Sequence, residues 1–96
     1  MRKKIVAGNW KMNLDNSQAS ELFHILNKIP NFENIEIIIA PAHIYLSEFS
    51  QIKSNIILAA QDVSENDNGA YTGDISSAML LSMNVKYCLV GHSERR

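Results

Sequence analysis

The chain has 96 residues, which is within the range of one small domain. Hydrophobic residues make up 46% of it and charged residues 20%, which is the composition of a globular chain rather than of a disordered one. The formal net charge is −1, so no overall field would draw the protein to nucleic acid or to an anionic membrane, and a small molecule or another protein is the expected partner.

The sequence gives no sign of secretion or of a membrane span. Its basic start is followed by only three apolar residues before Gly8 and Asn9 interrupt, too few for a signal-peptide core. No apolar run approaches the roughly 20 residues that cross a bilayer. The single cysteine, Cys88, cannot form an internal disulfide, and its apolar neighbours predict a strand interior rather than a reactive thiol. We therefore expect a cytoplasmic protein.

Four short blocks of the sequence are continuously apolar rather than alternating. They cover residues 4–9, 35–40, 56–61 and 86–92. Continuous runs of this length are typical of strands that are buried on both faces, as the strands of parallel sheets usually are. We predict four strands at these positions, in one domain with no linker.

The intervals between these blocks carry helical spacing. Residues 18–29 place their apolar side chains on one helix face, and Asn16 or Ser17 stands where an N-cap would be. Residues 42–52 show a weaker helical pattern, and residues 75–83 show another, which begins behind Asp74 or Ser76. Helical crossovers between successive strands enforce parallel pairing, so the predicted class is α/β. Periodicity alone does not decide between an open doubly wound sheet and half of a closed barrel.

Each predicted strand closes with residues that are costly to bury. They are Asn9, with Lys11 just beyond it, at the first strand, Pro41 and His43 at the second, Gln61 and Asp62 at the third, and His92 at the fourth. The carboxyl ends of parallel strands form the rim that faces ligands. We therefore expect these groups to converge on one side of the sheet and the chemistry to lie there.

Each of these residues also has an ordinary structural interpretation. Taken singly, Lys11 is a surface lysine, Asn9 a turn residue and His92 a hydrogen-bonded core histidine. His24 and His43 keep that structural interpretation. The sequence contains none of the motifs GxGxxG, GxxxxGK[ST], HExxH or paired CxxC, so we predict no nucleotide cofactor and no metal.

Three segments favour a functional interpretation of these residues, because they resemble one known family. Residues 7–13 (AGNWKMN) and 91–96 (GHSERR) resemble signature segments of triosephosphate isomerases. Residues 69–74 (GAYTGD) resemble the dimerisation loop after that family's third strand, and the strand spacing matches along essentially the whole chain. The resemblance implies the N-terminal half of a (β/α)8 barrel, a fold of about 250 residues when closed, with the C-terminal half absent from these 96 residues.

The resemblance also implies an activity, the interconversion of dihydroxyacetone phosphate and glyceraldehyde 3-phosphate through an enediolate in glycolysis and gluconeogenesis. Lys11 would attract the substrate phosphate and stabilise negative charge, while Asn9 would orient the substrate oxygens. His92 would be the electrophile that polarises the carbonyl. A helix that begins at residues 93–96 would disfavour a protonated imidazole, and a neutral histidine is well established for this family. No organic cofactor or metal is implied.

The resemblance places the catalytic glutamate after the sixth strand, which these 96 residues do not include. Glu94 would support His92 and would not be the base. Because general base catalysis typically contributes ~10²- to 10⁴-fold, we expect the isolated chain to be inactive or nearly so. Its unpaired strand edges and its uncovered apolar face also predict that the isolated chain self-associates or stays loosely packed.

A long polar loop at residues 64–74 is expected to mediate homodimer formation, since the family's loop reaches into the neighbouring subunit. The resemblance assigns dimer contacts to Tyr71, Thr72, Asp74 and Arg95. The chain departs from the family pattern at Asp62, where asparagine is expected, and at Asp74, where glutamate is usual. The second change shortens a side chain that would pair with Arg95 across the dimer.

Other functions were weighed against this one. An enzyme of another (β/α)8 family would not explain three matching segments. A flavodoxin-like binding module would normally need a fifth strand and an acidic or glycine-rich pocket at its switch point, and this sequence shows neither. A non-catalytic half-barrel with a binding or interaction role of its own stays open.

Overall fold

The computed structural model describes residues 4–90 and shows four parallel strands alternating with helices. The strands are β1 (Lys4–Asn9), β2 (Ile35–Ala40), β3 (Ile57–Ala60) and β4 (Tyr87–Cys88). The helices are α1 (Asn16–Asn27), α2 (Leu46–Ser50) and α3 (Ser77–Ser82), with a 3₁₀ turn at His43–Tyr45 before α2. The predicted α/β class is confirmed.

The strand order decides which kind of α/β sheet this is. The sheet runs β1-β2-β3-β4, so each strand lies beside its neighbour in sequence. A doubly wound sheet reverses its strand order at a switch point, whereas a barrel adds strands in one direction. The order seen here is that of the N-terminal half of a (β/α)8 barrel.

The core lies on the face of the sheet that the helices cover. Phe23 of α1 and Phe49 of α2 stack with their ring centroids 4.3 Å apart, and both belong to the buried cluster that includes Ile39 of β2. Trp10 meets the Phe49 ring edge-on, with a centroid distance of 6.1 Å. A second buried cluster joins α2 to α3 and β3. Its members are Leu46, Ala60, Leu80 and Val85.

The cap of α1 differs from the prediction. Asp15 is the N-cap, rather than Asn16 or Ser17, and the helix begins two residues before residue 18. Its carboxylate accepts the Gln18 N–H at 2.9 Å, and the Gln18 side-chain oxygen accepts the Asp15 N–H at 3.0 Å. This reciprocal capping box satisfies two donors at once, which neither single-residue cap would do. At α3 the cap is Ser76, one of the two residues predicted.

The elements after β2 are shorter than their sequence patterns. Between residues 42 and 52, only Leu46–Ser50 is α-helix. β4 is confined to Tyr87–Cys88, although the apolar block covers residues 86–92, of which 91 and 92 lie outside the described residues. Cys88 lies in β4, as predicted, and is exposed. In the described part of the chain β4 pairs only with β3, and a single neighbouring strand does not bury it.

β1 is exposed along its whole length, as β4 is. Its side chains are exposed throughout, with Ile5 63% and Val6 59% accessible. β1 pairs with β2 in a regular parallel register that ends with Asn9 opposite Ala40. Within residues 4–90, no helix is long and apolar enough to cross a membrane.

Candidate active site

The ends of three successive strands meet at the carboxyl side of the sheet, as the parallel arrangement predicts. Asn9 ends β1, Ala40 ends β2, and Gln61 directly follows β3. The main chain joins the first two ends, because the Trp10 N–H donates to the Ala40 carbonyl at 3.0 Å. The described rim residues therefore lie together, although they are far apart in the sequence.

Lys11 occupies an unusual backbone conformation at this rim. Its φ is 56°, in the left-handed region that residues other than glycine seldom adopt. The Lys11 N–H donates to the Asn9 side-chain oxygen at 2.9 Å, which closes a tight turn between the two residues. Lys11 is exposed. Asn9 thus shapes the turn that presents the lysine.

Gln61 holds the other side of this turn. Its Nε2 group donates to the Lys11 carbonyl at 2.7 Å and to the Ala40 carbonyl at 2.9 Å. One amide group therefore connects the ends of β1 and β2 from a position that follows β3. The sequence predicted that Gln61 lies at the rim but indicated no role for it. The feature that could have indicated one is a side chain with two donor hydrogens directly after a parallel strand.

The rest of the β1–α1 loop, residues 10–15, is also held in place. Leu14 is a second residue in the left-handed region, with φ 74°, and its carbonyl accepts the Tyr45 hydroxyl at 2.8 Å. The Asn13 side chain donates to the Trp10 carbonyl at 2.9 Å. The loop then passes directly into the capping box at Asp15. Both strained residues have their carbonyls bound by side chains distant in sequence.

His43 and Asp62 lie beside each other at the neighbouring part of the rim. The His43 Nε2 atom accepts the Asp62 N–H at 3.3 Å, which ties the chain after β2 to the chain after β3. Both residues also line an open polar cleft beneath the β3–α3 loop, residues 61–76. This contact fits the structural role predicted for His43.

The β3–α3 loop carries the residues predicted to form dimer contacts. Its base is closed by the Ser64 N–H, which donates to the Ile75 carbonyl at 2.8 Å. Further along, the Tyr71 N–H donates to the Gly69 carbonyl and the Asp74 N–H donates to the Tyr71 carbonyl, each at 2.9 Å. Thr72 and Asp74 are exposed, and the Tyr71 ring is 48% exposed. The outer part of the loop, residues 64–75, therefore contains short-range bonds while its tip faces outward.

Three predicted site residues are among the last six residues of the chain. His92, Glu94 and Arg95 lie outside the described residues 4–90. Within the described range, no group of three or more histidine, cysteine, aspartate or glutamate side chains is arranged to hold a metal ion.

Fold and rim together define an α/β protein of the (β/α)8 class, with amide and ammonium side chains gathered at the carboxyl ends of its strands. A family model described as triosephosphate isomerase matches residues 4–96. The chain belongs to the triosephosphate isomerase family, which confirms the resemblance seen in its signature segments.

Individual relatives agree with this membership. The triosephosphate isomerase of Flavobacterium psychrophilum is 47% identical over 103 residues, covering 100% of this chain and 40% of the relative. That of Mesomycoplasma hyorhinis is 43% identical over 102 residues, covering 100% and 42% respectively. That of Wigglesworthia glossinidia brevipalpis is 45% identical over 97 residues, covering 98% and 38%. The chain therefore spans about 40% of the length of these relatives.

Proposed function

We propose that the barrel to which this chain contributes is a triosephosphate isomerase. It interconverts dihydroxyacetone phosphate and glyceraldehyde 3-phosphate by proton transfer through an enediolate, in glycolysis and gluconeogenesis. The observation that carries the proposal is the Lys11 turn, in which a cationic side chain stands at the ligand-facing rim on a backbone fixed by Asn9 and Gln61. Family membership over residues 4–96 supports the same conclusion.

Lys11 and Asn9 have complementary roles in this proposal. The ammonium group of Lys11 attracts the substrate phosphate and stabilises the negative charge of the enediolate. A fixed charge costs no reorganisation when the transition state forms, which is why preorganised electrostatics contribute strongly to catalysis. Asn9 has its side-chain oxygen engaged by the Lys11 N–H, so its Nδ2 hydrogens are the groups that face substrate oxygens.

His92 is the proposed electrophile, which donates a hydrogen bond to the carbonyl and moves protons between the two enediolate oxygens. Glu94 supports it. The base is a glutamate that the family carries beyond these 96 residues, so Glu94 does not take that role. The reaction needs no metal or organic cofactor, since a neutral histidine and a lysine supply the stabilisation.

We further propose that the complete protein is a cytoplasmic homodimer. The outward-facing tip of the β3–α3 loop supports this, because Tyr71 and Thr72 stand away from the described core. Asp74 and Arg95 complete the proposed dimer contact.

The test compares the 96-residue chain with a completed barrel, which we define as residues 1–96 joined to the C-terminal part of the Flavobacterium psychrophilum relative. Both proteins are purified from a host that lacks its own triosephosphate isomerase. We expect the completed barrel to be active, its His92→Gln variant to be strongly impaired, and the 96-residue chain to be inactive. The chain lacks a base, and a base contributes ~10²- to 10⁴-fold.

Two results would contradict these expectations. A completed barrel that folds and dimerises but shows no isomerase activity would refute the proposed function. Activity of the 96-residue chain that disappears with His92→Gln would show that a carboxylate within it replaces the missing base, with Glu94 the first to be tested.

A further inference from the structure

We propose that His43 is a positioning residue for the dimer contact, and that it holds the β3–α3 loop only while its imidazole ring is neutral. The inference rests on the proposed homodimer, since that proposal places Tyr71 and Thr72 of this loop against a second subunit. Its consequence is a dimer that weakens as the pH falls through the range in which histidines gain a proton.

The direction of one hydrogen bond fixes the protonation state of the ring. The Asp62 N–H donates to the His43 Nε2 atom at 3.3 Å. Nε2 accepts a hydrogen bond only when it carries no hydrogen, so the bonded ring is the neutral tautomer with its hydrogen on Nδ1. In an imidazolium both ring nitrogens are donors. Protonation therefore sets one N–H against another, and the bond to Asp62 is lost.

This bond lies where the outer part of the loop joins the rest of the protein. Asp62 stands two residues before Ser64, whose N–H donates to the Ile75 carbonyl at 2.8 Å and closes residues 64–75 on themselves. The closed segment carries the proposed dimer contacts. His43 follows β2, so its bond fixes where the entry to this segment lies relative to the neighbouring strand.

Other bonds anchor the two ends of the loop without depending on pH. At the entry, the Gln61 amide donates to two carbonyls, one in the β1–α1 loop and one at the end of β2. At the exit, the buried Ser76 hydroxyl accepts the Met79 N–H. None of these groups titrates near neutral pH, whereas histidine ordinarily changes charge between about pH 5 and pH 8. His43 therefore adds a pH-dependent anchor to pH-independent ones.

The charged groups around His43 are mostly carboxylates. Three of them line the polar cleft together with His43, and all are on the β3–α3 loop: Asp62, Glu65 and Asp74. They attract an imidazolium and so draw the charged ring towards the cleft rather than towards the Asp62 N–H. On the neighbouring elements, Glu48 of α2 and Lys11 of the β1–α1 loop are both exposed.

Two variants of the completed barrel reproduce the two states of the ring. His43→Gln keeps an acceptor oxygen that does not titrate, and His43→Leu removes the acceptor at every pH. The unmodified barrel should resemble His43→Gln at about pH 8 and His43→Leu at about pH 5. His24→Gln is the matched control, because it removes an exposed histidine of α1 and should keep the pH dependence of the unmodified barrel.

Analytical ultracentrifugation measures the dimer dissociation constant at both pH values, and circular dichroism shows whether each variant is folded. The unmodified barrel and His43→Gln should have equal constants at the higher pH. At the lower pH the constant of the unmodified barrel should exceed that of His43→Gln by roughly three- to tenfold, the range expected for the loss of one hydrogen bond. Comparison at the same pH cancels the titration of every group that the variants share.

Nitrogen-15 NMR gives a readout that a merely structural role of His43 would not move, and it needs no dimer. At the higher pH, the Nε2 signal of His43 should be that of a ring nitrogen without a hydrogen. The amide signal of Asp62 should shift as the ring titrates, and this shift should be absent in His43→Gln.

The possible results divide clearly. A hydrogen on Nε2 at the higher pH overturns the inference, and so does a ratio of the two dissociation constants that is the same at both pH values. If the unmodified barrel is monomeric at the higher pH, the proposed homodimer fails, while the Asp62 amide titration still decides whether His43 is a pH-dependent anchor of the loop.

Discussion

Two loops emerge from the same rim of the sheet and are stabilised in different ways. The β1–α1 loop is held by side chains from distant parts of the chain, with Gln61 on the Lys11 carbonyl and Tyr45 on the Leu14 carbonyl. Within residues 4–90, the β3–α3 loop has long-range bonds only at its first two residues, Gln61 and Asp62. Its outer part is closed by the Ser64–Ile75 bond and contains bonds between near neighbours. Its tip projects outward, with Tyr71 half exposed.

The difference indicates what each loop needs from the rest of the protein. The β1–α1 loop has its long-range support within the described chain, so the Lys11 turn is preorganised by β1, β2 and the residue after β3. The β3–α3 loop has apolar and polar side chains at its tip without comparable support, which is expected of a segment that packs against another subunit. Three changes test this contrast, in order of decreasing effect.

The first change removes the charge that the β1–α1 loop presents. Lys11→Met in the completed barrel should lower kcat/KM by ~10²- to 10³-fold, the usual cost of deleting one preorganised electrostatic group. The fold should be unaffected because Lys11 is exposed. Steady-state kinetics measure the effect, and Lys28→Met, at the exposed C-cap of α1, is the control and should retain full activity. If Lys11→Met retained full activity, the β1–α1 loop would have no part in the reaction.

The second change acts on the tip of the β3–α3 loop. Tyr71→Asp and Thr72→Asp place a charge where we propose contact with a second subunit, and a buried unpaired charge at an interface centre costs at least ~2 kcal/mol. The dimer dissociation constant should rise by roughly 30-fold or more. Analytical ultracentrifugation measures it.

Ser47→Asp is the matched control for that experiment, since it adds the same charge at an exposed position of α2. It should leave the dimer unchanged. An equal shift in all three variants would indicate a general charge effect, and no shift in any of them would show that the loop tip does not form the interface.

Much of the rim could be predicted from the sequence because parallel strands place their carboxyl ends on one side. Asn9, Lys11 and Gln61 follow apolar blocks, and that simple rule brings them together. The choice between a doubly wound sheet and a half-barrel could not be made from periodicity, because strand order is a tertiary property. The signature segments supplied it through resemblance, and the sheet order agrees.

Details that depend on two partners escaped the sequence analysis. Asp15 was missed as the cap because Asp15, Asn16 and Ser17 are all favoured cap types, and the reciprocal bond with Gln18 separates them. The role of Gln61 depends on the carbonyls of two other strand ends. The apolar neighbours of Cys88 predicted its place in a strand, but its exposure depends on what packs beside β4. The roles of His92 and Glu94 stay predictions.

The smallest expected effect is on the free energy of unfolding, which compares how strongly the two loops are held. Tyr45→Phe and Ser64→Ala each delete one hydroxyl. Tyr45 is buried and its hydroxyl binds a strained residue 31 positions away, so its loss leaves the half-buried Leu14 carbonyl unsatisfied and should lower the free energy of unfolding by about 1 kcal/mol. Among residues 4–90, the Ser64 hydroxyl accepts the nearby Asn66 N–H, a bond that water can replace, and its loss should cost less than about 0.5 kcal/mol.

Urea denaturation of the completed barrel measures both values at one protein concentration, because dimer formation contributes to apparent stability. Hydrogen exchange gives a second, local readout: Tyr45→Phe should accelerate exchange of the amides of the β1–α1 loop, whereas Ser64→Ala should affect only its own loop. Equal losses of stability in the two variants would contradict the contrast, since they would show that the long-range bond at Leu14 holds its loop no better than a local bond holds the other.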